Sequence, residues 1–279
     1  MLVNLNDVLI PARRGKYAVG LFNTVNLELA RGVMEAAGEL DSPVIIGTAE
    51  VLLPYGPIED LANLLIPMAE RASVPVVVHL DHGLKEETCR QALDLGFSSI
   101  MYDCSTMEYE ANIEHVKRMA ETAHACGASI EAELGHVGDN GGEDPSLFYT
   151  DSAQARDFIE RTGADALAIA VGTAHGAYKL PPKLDFDRIS EIAETISTPL
   201  VLHGGSGLSD SDFRTAVERG ISKVNIFTDI NQACARAAAL GYREGMGLTD
   251  IILPEIEAVK QSVMEKMRLF GSVGRGSER

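Results

Sequence analysis

Short apolar runs rich in valine, isoleucine and leucine recur along the chain and alternate with segments whose apolar residues have helical spacing. Runs that are short and continuously apolar are typical of strands buried in a parallel sheet. Eight runs fit this description, at Tyr17–Phe22, Pro43–Gly47, Pro75–His79, Ser98–Asp103, Ser129–Leu134, Ala166–Val171, Pro199–His203 and Lys223–Phe227. The regular alternation of strand and helix predicts a parallel α/β architecture.

Eight units favour a closed (β/α)8 TIM barrel. The 279 residues of the chain are enough for one such barrel of roughly 250 residues and an extension. We expect a single domain over residues 1–279, with a last amphipathic helix at about Leu253–Leu269 and a loose basic tail at Gly271–Arg279. An open, doubly wound sheet is the alternative, although no GxGxxG motif follows the first strand.

The third strand ends in a group of polar residues, His79-Leu80-Asp81-His82-Gly83. Alternation along an extended chain places His79 and Asp81 on one side of the strand. Gly83 is expected to permit a sharp turn that brings His82 to the same mouth. A structural alternative is that Asp81 caps the helix that follows.

Other strands also end in residues that can bind metals or transfer protons. In a barrel, residues just past the carboxyl ends of the strands converge on one face. That position is taken by His79, Asp81, His82, Asp103, Glu133, His175, His203 and Asn225. Three histidines next to glycine suit a divalent metal with three protein ligands and one open position, as in catalytic zinc sites. For Asp103, Glu131 and Glu133, salt bridges inside the barrel mouth are an alternative to a direct role in catalysis.

The charge and cysteine content narrow the class of partner. A formal net charge of −17 would repel nucleic acid and anionic membranes, so neither is expected as a partner. The 4 cysteines form no CxxC pair, which favours reduced thiols in a cytosolic protein. The first residues do not have the pattern of a secretory signal, and no run is long enough for a membrane helix, so we expect a cytoplasmic protein.

Four motifs in a fixed order resemble the class II fructose-bisphosphate and tagatose-bisphosphate aldolase family. They are His79–Gly83, Gly172–Gly176, His203–Gly207 and Lys223–Thr228, and the resemblance extends from Phe22 to Ser272. The resemblance implies an aldehyde-lyase in which His82, His175 and His203 bind Zn²⁺ and Asp81 is the catalytic acid and base. It also implies an outer or structural role for His79, a secondary metal site at Asp103 and Glu133, and room for a monovalent cation.

The glycine-rich segment after the seventh strand and the segment after the eighth lie where barrels often bind phosphate through backbone N–H groups. By resemblance, dihydroxyacetone phosphate would be held by Asn23, Gly176, Gly204, Gly205, Ser206, Asn225, Ile226, Phe227 and Thr228. A second carboxylate must move the proton at C3 of the sugar. Glu143, in the glycine-rich loop Gly135–Asp151, is the first choice for this role and Glu133 is the second.

One stretch departs from the family pattern. After the second strand the family commonly has a serine that holds the far phosphate of a bisphosphate sugar, and Ala49 stands there in this chain. We therefore expect a ketose 1-phosphate substrate whose other end is not the usual phosphate, unless Arg13, Arg14 or a loop residue compensates. The alternatives are an ordinary fructose- or tagatose-1,6-bisphosphate aldolase, a Schiff-base aldolase using Lys179, and a non-catalytic metal-binding barrel subunit.

Two further expectations concern the surface of the protein. His115 and His124 lie on a predicted helix, Glu108–Cys126, and are expected to face solvent, whereas the role of His136 is left open. The terminal helices and the family resemblance suggest a homodimer or homotetramer.

Overall fold

The computed structural model describes residues 1–138, 149–174 and 182–278. Eight parallel strands close into a barrel in chain order, from β1 to β8 and back to β1. The strands are β1 Val19–Asn23, β2 Val44–Ala49, β3 Val76–Gly83, β4 Ser99–Tyr102, β5 Ser129–Leu134, β6 Ala166–Ile169, β7 Leu200–Leu202 and β8 Ile221–Ile226. The predicted (β/α)8 barrel is confirmed, and the open-sheet alternative is wrong because β8 pairs with β1.

Helices surround the barrel and also close one end of it. Those in the described residues are α1 Leu5–Gly15, α2 Leu27–Glu39, α3 Ile58–Arg71, α4 Glu86–Asp94, α5 Tyr109–Ala125, α6 Ser152–Thr162, α7 Phe186–Thr195, α8 Asp210–Arg219, α9 Thr228–Gly241 and α10 Leu248–Phe270. A short 3-10 turn, Glu50–Leu52, follows β2. Within this part of the chain, no helix combines the length and the apolar composition needed to cross a membrane.

Alternate residues of each strand face the helices or the interior of the barrel, and β3 shows the division clearly. Val76, Val78 and Leu80 belong to the core between sheet and helices. Val77 packs in a second core inside the barrel, where the apolar face of α1 closes the end at which the strands begin. His79 and Asp81 continue the inward-facing row towards the other end. The interior is therefore apolar near α1 and becomes polar towards the mouth.

Close contact between β2 and β3 requires a glycine at position 47. A Cβ atom on Gly47 would lie 1.9 Å from the carbonyl oxygen of His79. Two residues further along, the register pairs Ala49 with Asp81. Ala49 therefore lies beside Asp81 at the mouth of the barrel, which is the position that the departure from the family pattern makes important.

The C-terminal segment is more ordered than the sequence predicts. Helix α10 begins at Leu248, before the predicted start, and ends at Phe270, where Gly271 caps it with φ 74°. Beyond it, the buried Ser272 hydroxyl lies 2.8 Å from that of Ser42. Two backbone N–H groups further along the segment donate to Leu40 and Asp41. The prediction of a loose tail is therefore wrong up to residue 278, because composition does not reveal backbone hydrogen bonds.

Candidate active site

A cavity of about 520 Å³ opens at the carboxyl ends of the strands. Its volume is in the range of sites for small molecules. Residues predicted for the site that line it are Asn23, Asp81, His82, Asp103, Gly204, Gly205, Ser206, Asn225, Ile226, Phe227 and Thr228, and His136 joins them. Residues distant in sequence thus meet at one mouth, as the barrel topology predicts.

A continuous line of polar contacts begins at the lining of the cavity, with Asp103 and His82, and continues into the buried interior of the barrel. Nδ1 of His82 lies 2.8 Å from Oδ2 of Asp103, and Nε2 of His82 lies 2.7 Å from Nδ1 of His203. On the far side, Nε2 of His203 lies 2.8 Å from Oε1 of Glu131. The second oxygen of Glu131 accepts a 2.6 Å hydrogen bond from Nζ of Lys223. Each histidine therefore has a carboxylate on the ring nitrogen that points away from the other histidine.

This arrangement brings together two ring nitrogens that could share a proton or bind one metal ion. A carboxylate accepts the N–H of a neutral imidazole, so Asp103 and Glu131 select tautomers that leave lone pairs on Nε2 of His82 and Nδ1 of His203. Two lone pairs that face each other repel unless a proton or a metal ion lies between them. Burial opposes protonation of His82, but Asp81, Asp103 and Glu133 outweigh it and raise the pKa of His82 to about 9.

Glu133 gives a second indication that the residues suit a metal. Its Oε1 accepts the N–H of Val137 at 2.9 Å, whereas its buried Oε2 has no hydrogen-bond partner among the described residues. That Oε2 lies 3.7 Å from Nδ1 of His203. Groups of atoms close enough to share one ion include Asp81, His82 and His203, and also His82, Asp103 and Glu133. Imidazole nitrogens with nearby carboxylates match the ligands that Zn²⁺ takes in proteins.

The backbone of His82 itself makes the turn that aims its ring at the cavity. His82 has φ 43°, in the left-handed region that non-glycine residues seldom adopt. Gly83 is needed for a different reason, because a Cβ atom there would lie 2.4 Å from Sγ of Cys89 and 2.8 Å from the carbonyl oxygen of Met101. The expectation that Gly83 provides the turn is therefore corrected: His82 turns, and Gly83 fits a crowded space.

The carboxylate of Asp81 is held by two amide side chains. Nδ2 of Asn23 donates to one oxygen at 2.7 Å, and Nδ2 of Asn225 donates to the other at 2.9 Å. Burial opposes ionisation of Asp81, but His82, His203 and Lys223 outweigh it and hold its pKa well below the usual range. The alternative that Asp81 caps a helix is wrong, because β3 continues to Gly83. Sequence reasoning assigned both asparagines to substrate and missed their contact with Asp81.

One layer deeper, the barrel contains a fully buried polar group. His79 has no solvent exposure, and its Nδ1 lies 2.7 Å from Oγ of Ser99. Burial and the neighbouring Lys223 lower the pKa of His79 to about 3. Glu131 forms an ion pair with Lys223. This agrees with the alternative in which Glu131 makes a salt bridge inside the barrel and takes no direct part in catalysis. Lys223 was not recognised from the sequence, although a lysine inside an apolar strand was the signal that could have found it.

At the end of the cavity next to β7 and β8, backbone segments approach closely. A Cβ atom on Gly204 would lie 2.3 Å from the carbonyl oxygen of Ala174. The Ser206 hydroxyl accepts from the N–H groups of Phe227 at 3.3 Å and Asp229 at 3.4 Å, at the start of α9. Two N–H groups near the predicted phosphate site therefore already have a protein acceptor.

The remaining histidines divide into one at the cavity and two on α5. Nδ1 of His136 lies 3.0 Å from Oγ of Ser105 and 3.7 Å from Oε1 of Glu133, and Glu133 raises the pKa of His136. His124 is exposed and pairs with Asp165 at 2.9 Å. His115 is partly buried, with its ring 6.3 Å from that of Tyr102, so it faces solvent less fully than predicted.

Arg13 and Arg14 cannot compensate for Ala49, because both lie on α1 at the opposite end of the barrel. Arg13 donates to the carbonyl oxygens of Ala193, Ile196 and Thr198, which precede β7. That expectation is therefore wrong. Several other predicted residues lie outside the described part of the chain: Glu143, His175, Gly176 and Lys179.

Residues 3–275 match the family model for fructose-bisphosphate aldolase class-II. The chain is 40% identical over 287 residues to a fructose-bisphosphate aldolase of Geobacillus stearothermophilus, covering 99% of each. It is also 40% identical over 262 residues to the uncharacterized protein YdjI of Escherichia coli K12, covering 93% of this chain and 94% of the relative. The crystal structure of the YdjI aldolase matches with a TM-score of 0.90 at 37% identity, covering 99% of this chain and 100% of that one.

The chain therefore belongs to the class II fructose-bisphosphate aldolase family, as its motifs predicted. Members of this family are metal-dependent lyases that act on small sugar phosphates. A cavity beside a group of histidine and carboxylate atoms that could hold a metal ion agrees with that class of enzyme.

Proposed function

We propose that this protein is a zinc-dependent aldolase that reversibly cleaves a ketose 1-phosphate into dihydroxyacetone phosphate and an aldehyde without a terminal phosphate. The observation that carries the proposal is the group formed by His82, His203 and Asp81: the facing ring nitrogens of the two histidines are 2.7 Å apart, and a carboxylate oxygen of Asp81 lies close enough to share one ion with them. A cation site beside an ionised carboxylate provides both kinds of chemistry that an aldol cleavage needs.

Nε2 of His82 and Nδ1 of His203 would hold the ion, with His175 as the third ligand. Asp103 and Glu133 would offer a secondary position, because they form a compatible group with His82. When bound, Zn²⁺ supplies a Lewis acid that withdraws charge from the ketone oxygen of the substrate.

Asp81 would act on the other half of the substrate. In cleavage, it accepts the proton of the C4 hydroxyl while the C3–C4 bond breaks, leaving the bonding electrons with C3 and a C4 aldehyde. In condensation, it returns that proton to the aldehyde oxygen. The hydrogen bonds from Asn23 and Asn225 fix its two oxygens, and its lowered pKa keeps the carboxylate ionised and ready to accept a proton.

A second carboxylate would transfer the proton at C3. Glu143 is our first choice and Glu133 our second. The Oε2 of Glu133 supports the second choice, because it has no hydrogen-bond partner among the described residues and lies 3.7 Å from Nδ1 of His203, next to the proposed metal.

The phosphate of the donor half would bind where β7 and β8 end. Gly204, Gly205, Ser206, Ile226, Phe227 and Thr228 line this part of the cavity, and α9 begins here. The N-terminus of a helix carries a partial positive charge, so it attracts a dianion even within an acidic protein. Gly176 belongs to the same proposed set.

The opposite wall supports an aldehyde without phosphate. Ala49, Val51, Leu52 and Leu84 line it, and the lining contains no arginine or lysine within the described ranges. A phosphate placed against this wall would lose hydration without gaining a cationic partner there.

A condensation screen tests the substrate. Dihydroxyacetone phosphate is offered with phosphorylated, neutral and acidic aldehydes, and kcat/KM is compared. We expect the donor to be strictly required and an unphosphorylated aldehyde to be preferred. Preference for glyceraldehyde 3-phosphate over every unphosphorylated aldehyde would favour an ordinary bisphosphate aldolase, the second candidate, which the Geobacillus stearothermophilus relative supports by its name.

We also propose that the protein forms a homodimer or homotetramer. Leucines around the junction of α9 and α10 are strongly exposed, with Leu240 at 74% and Leu248 at 68%. Apolar side chains grouped at one place on a surface often mark an interface. Light scattering on the purified protein tests this, and a monomer at micromolar concentration would contradict it.

A further inference from the structure

Glu50 makes an unusual connection at the cavity rim. It follows β2 directly, and its Oε2 accepts hydrogen bonds from the backbone N–H groups of Leu84 at 2.7 Å and Lys85 at 3.1 Å. Only 10% of its side chain is exposed. Lys85 is the N-cap residue of α4 but makes no side-chain cap. The carboxylate of Glu50, just past the neighbouring strand, therefore holds the backbone of the N-cap residue of α4 and of the residue before it.

The residues that Glu50 holds come directly after the proposed metal ligand His82. The left-handed backbone of His82 has an energetic cost for a non-glycine residue. The surrounding structure must supply that energy. The N–H of Asp103 donates to the carbonyl oxygen of Gly83 at 2.9 Å on one side, and Glu50 holds Leu84 and Lys85 on the other. Gly83 is tightly surrounded and cannot absorb a shift of the backbone. A displacement of Leu84 would therefore also displace His82.

The same carboxylate also joins the two segments that form the apolar wall of the cavity. Val51 and Leu52 follow Glu50, while Leu84 is one of the residues that it binds. Val51 and Leu84 are 63% and 49% exposed, so little other packing fixes them. Glu50 itself does not line the cavity.

We propose that Glu50 is a positioning residue that holds His82 in its metal-binding orientation and fixes the apolar wall against which the aldehyde binds. This inference rests on the proposed function, because it needs a metal at His82 and His203. Removing Glu50 releases two backbone N–H groups and loosens the turn at His82, so metal affinity and aldehyde binding both weaken. A residue that served only as a helix cap would change stability alone.

The test compares Glu50→Ala with the wild-type protein by Zn²⁺ affinity, measured in competition with a chelator, and by steady-state kinetics. We expect Glu50→Ala to weaken Zn²⁺ binding about 10- to 100-fold, in the range found for outer partners of metal ligands. With excess Zn²⁺, kcat recovers towards the wild-type value while the KM for the aldehyde stays raised. Glu50→Gln keeps an acceptor oxygen and restores most of the affinity.

Two control variants distinguish the loss of the Glu50 hydrogen bonds from a change of charge nearby. Glu87→Ala removes an exposed carboxylate from the first turn of α4, and Lys85→Ala removes the ammonium 3.6 Å from Glu50 but keeps the backbone N–H. Both are expected to bind Zn²⁺ as the wild type does. If Glu50→Ala does not fold, Glu50→Asp takes its place, since it keeps the charge but withdraws the oxygen from Leu84.

Wild-type Zn²⁺ affinity and aldehyde KM in Glu50→Ala or Glu50→Asp, with only a lower unfolding midpoint, would overturn the inference. His82→Ala separates this failure from failure of the proposed function. If His82→Ala loses Zn²⁺ and the Glu50 variants do not, only the positioning role is wrong. If His82→Ala binds Zn²⁺ normally, the proposed metal site is wrong.

Discussion

The ammonium of Lys223 and the carboxylate of Glu131 form an ion pair of 2.6 Å inside the barrel, and neither side chain has any solvent exposure. Burying two charges has a large desolvation cost, which is offset only when each charge keeps its partner. Glu131 also accepts from His203, so the pair supports the side of the imidazole that faces away from the proposed metal. The buried ion pair therefore helps to fix the orientation of the His203 imidazole.

Replacing Lys223 by methionine should be strongly destabilising. Lys223→Met leaves Glu131 buried without its ammonium, and we expect a loss of about 3–5 kcal/mol in the free energy of unfolding. Denaturant unfolding of the metal-free protein measures it. Lys260→Met is the control, because its carboxylate partner Glu39 is half exposed and the change should be within error.

The double variant Lys223→Met/Glu131→Gln should recover much of that stability, since no unpaired charge remains in the core. Its Zn²⁺ affinity should still be about 10- to 100-fold weaker, because a neutral amide no longer fixes the tautomer of His203. Wild-type affinity in the double variant would show that the pair contributes to folding alone.

Loss of a histidine from the proposed metal site should remove bound zinc. His82→Ala and His203→Ala each delete one of two facing ring nitrogens, and His175→Ala deletes the third predicted ligand. We expect little zinc to remain after dialysis in each, as measured by elemental analysis. His115→Ala and His124→Ala should keep a full complement. Chelator treatment should abolish cleavage and added Zn²⁺ should restore it, and turnover indifferent to chelator would favour the Schiff-base alternative at Lys179.

Metal binding should depend on pH through His82. With a pKa of about 9, His82 is protonated at neutral pH in the metal-free protein, so a metal must displace that proton. Zn²⁺ affinity should therefore rise by up to about tenfold for each pH unit above about 7, and the rise should level off near pH 9. Competition titrations at several pH values measure this, with His124→Ala as a control of unchanged slope. An affinity that is flat between pH 6 and 8 contradicts the assignment.

The stability of the metal-free protein should fall as the pH rises, whereas its Zn²⁺ affinity should increase. The pKa of His82 is raised from 6.5 in the unfolded chain to about 9 in the folded one, so protonation favours folding. This contribution is complete below about pH 6.5 and is lost as the pH rises through about 9. Unfolding midpoints recorded over that interval should fall for the metal-free protein, and the fall should be smaller in His82→Ala.

Neutralising Asp81 should separate catalysis from metal binding. Asp81→Asn keeps one oxygen for the amide donors. Asn23 and Asn225 each have a buried Oδ1 with no hydrogen-bond partner in the described part of the chain, and after a flip this oxygen can accept from the new amide. The fold and the zinc content should therefore survive. Turnover should fall about 10²- to 10⁴-fold, as for loss of an acid or base. Near-native cleavage with loss of zinc would instead make Asp81 a support for the metal.

The barrel and the meeting of Asp81, His82 and His203 could be predicted from sequence because strand order and period place strand ends together. The line from Asp103 to Lys223 could not. Which ring nitrogen of His82 faces Asp103 depends on a left-handed backbone at a histidine, where the pattern suggested that Gly83 made the turn. Sequence patterns identify which residues reach the mouth, but side-chain partners depend on three-dimensional contacts.

Arg13 also shows that the sequence pattern does not reveal where a side chain lies in the fold. Arg13 is near the N-terminus of the chain and has a charge that suits phosphate, yet α1 carries it to the end of the barrel that faces away from the cavity. Likewise, composition identified Gly271–Arg279 as basic but gave no sign that its backbone binds Leu40 and Asp41. In both cases the error came from local charge, which does not report position in the fold.

Restoring a hydroxyl at position 49 should shift the aldehyde preference. Ala49 is paired with Asp81 in the sheet register and lines the cavity, so Ala49→Ser places a hydrogen-bond donor at the acceptor side. A buried hydrogen bond to a charged group contributes about 1.5–3 kcal/mol, which corresponds to roughly a 10- to 100-fold gain. We expect kcat/KM for glyceraldehyde 3-phosphate to rise by up to that factor relative to unphosphorylated glyceraldehyde. Ala49→Val adds volume without a donor and should give no such gain, and equal ratios in the serine and valine variants would show that Ala49 does not determine the preference.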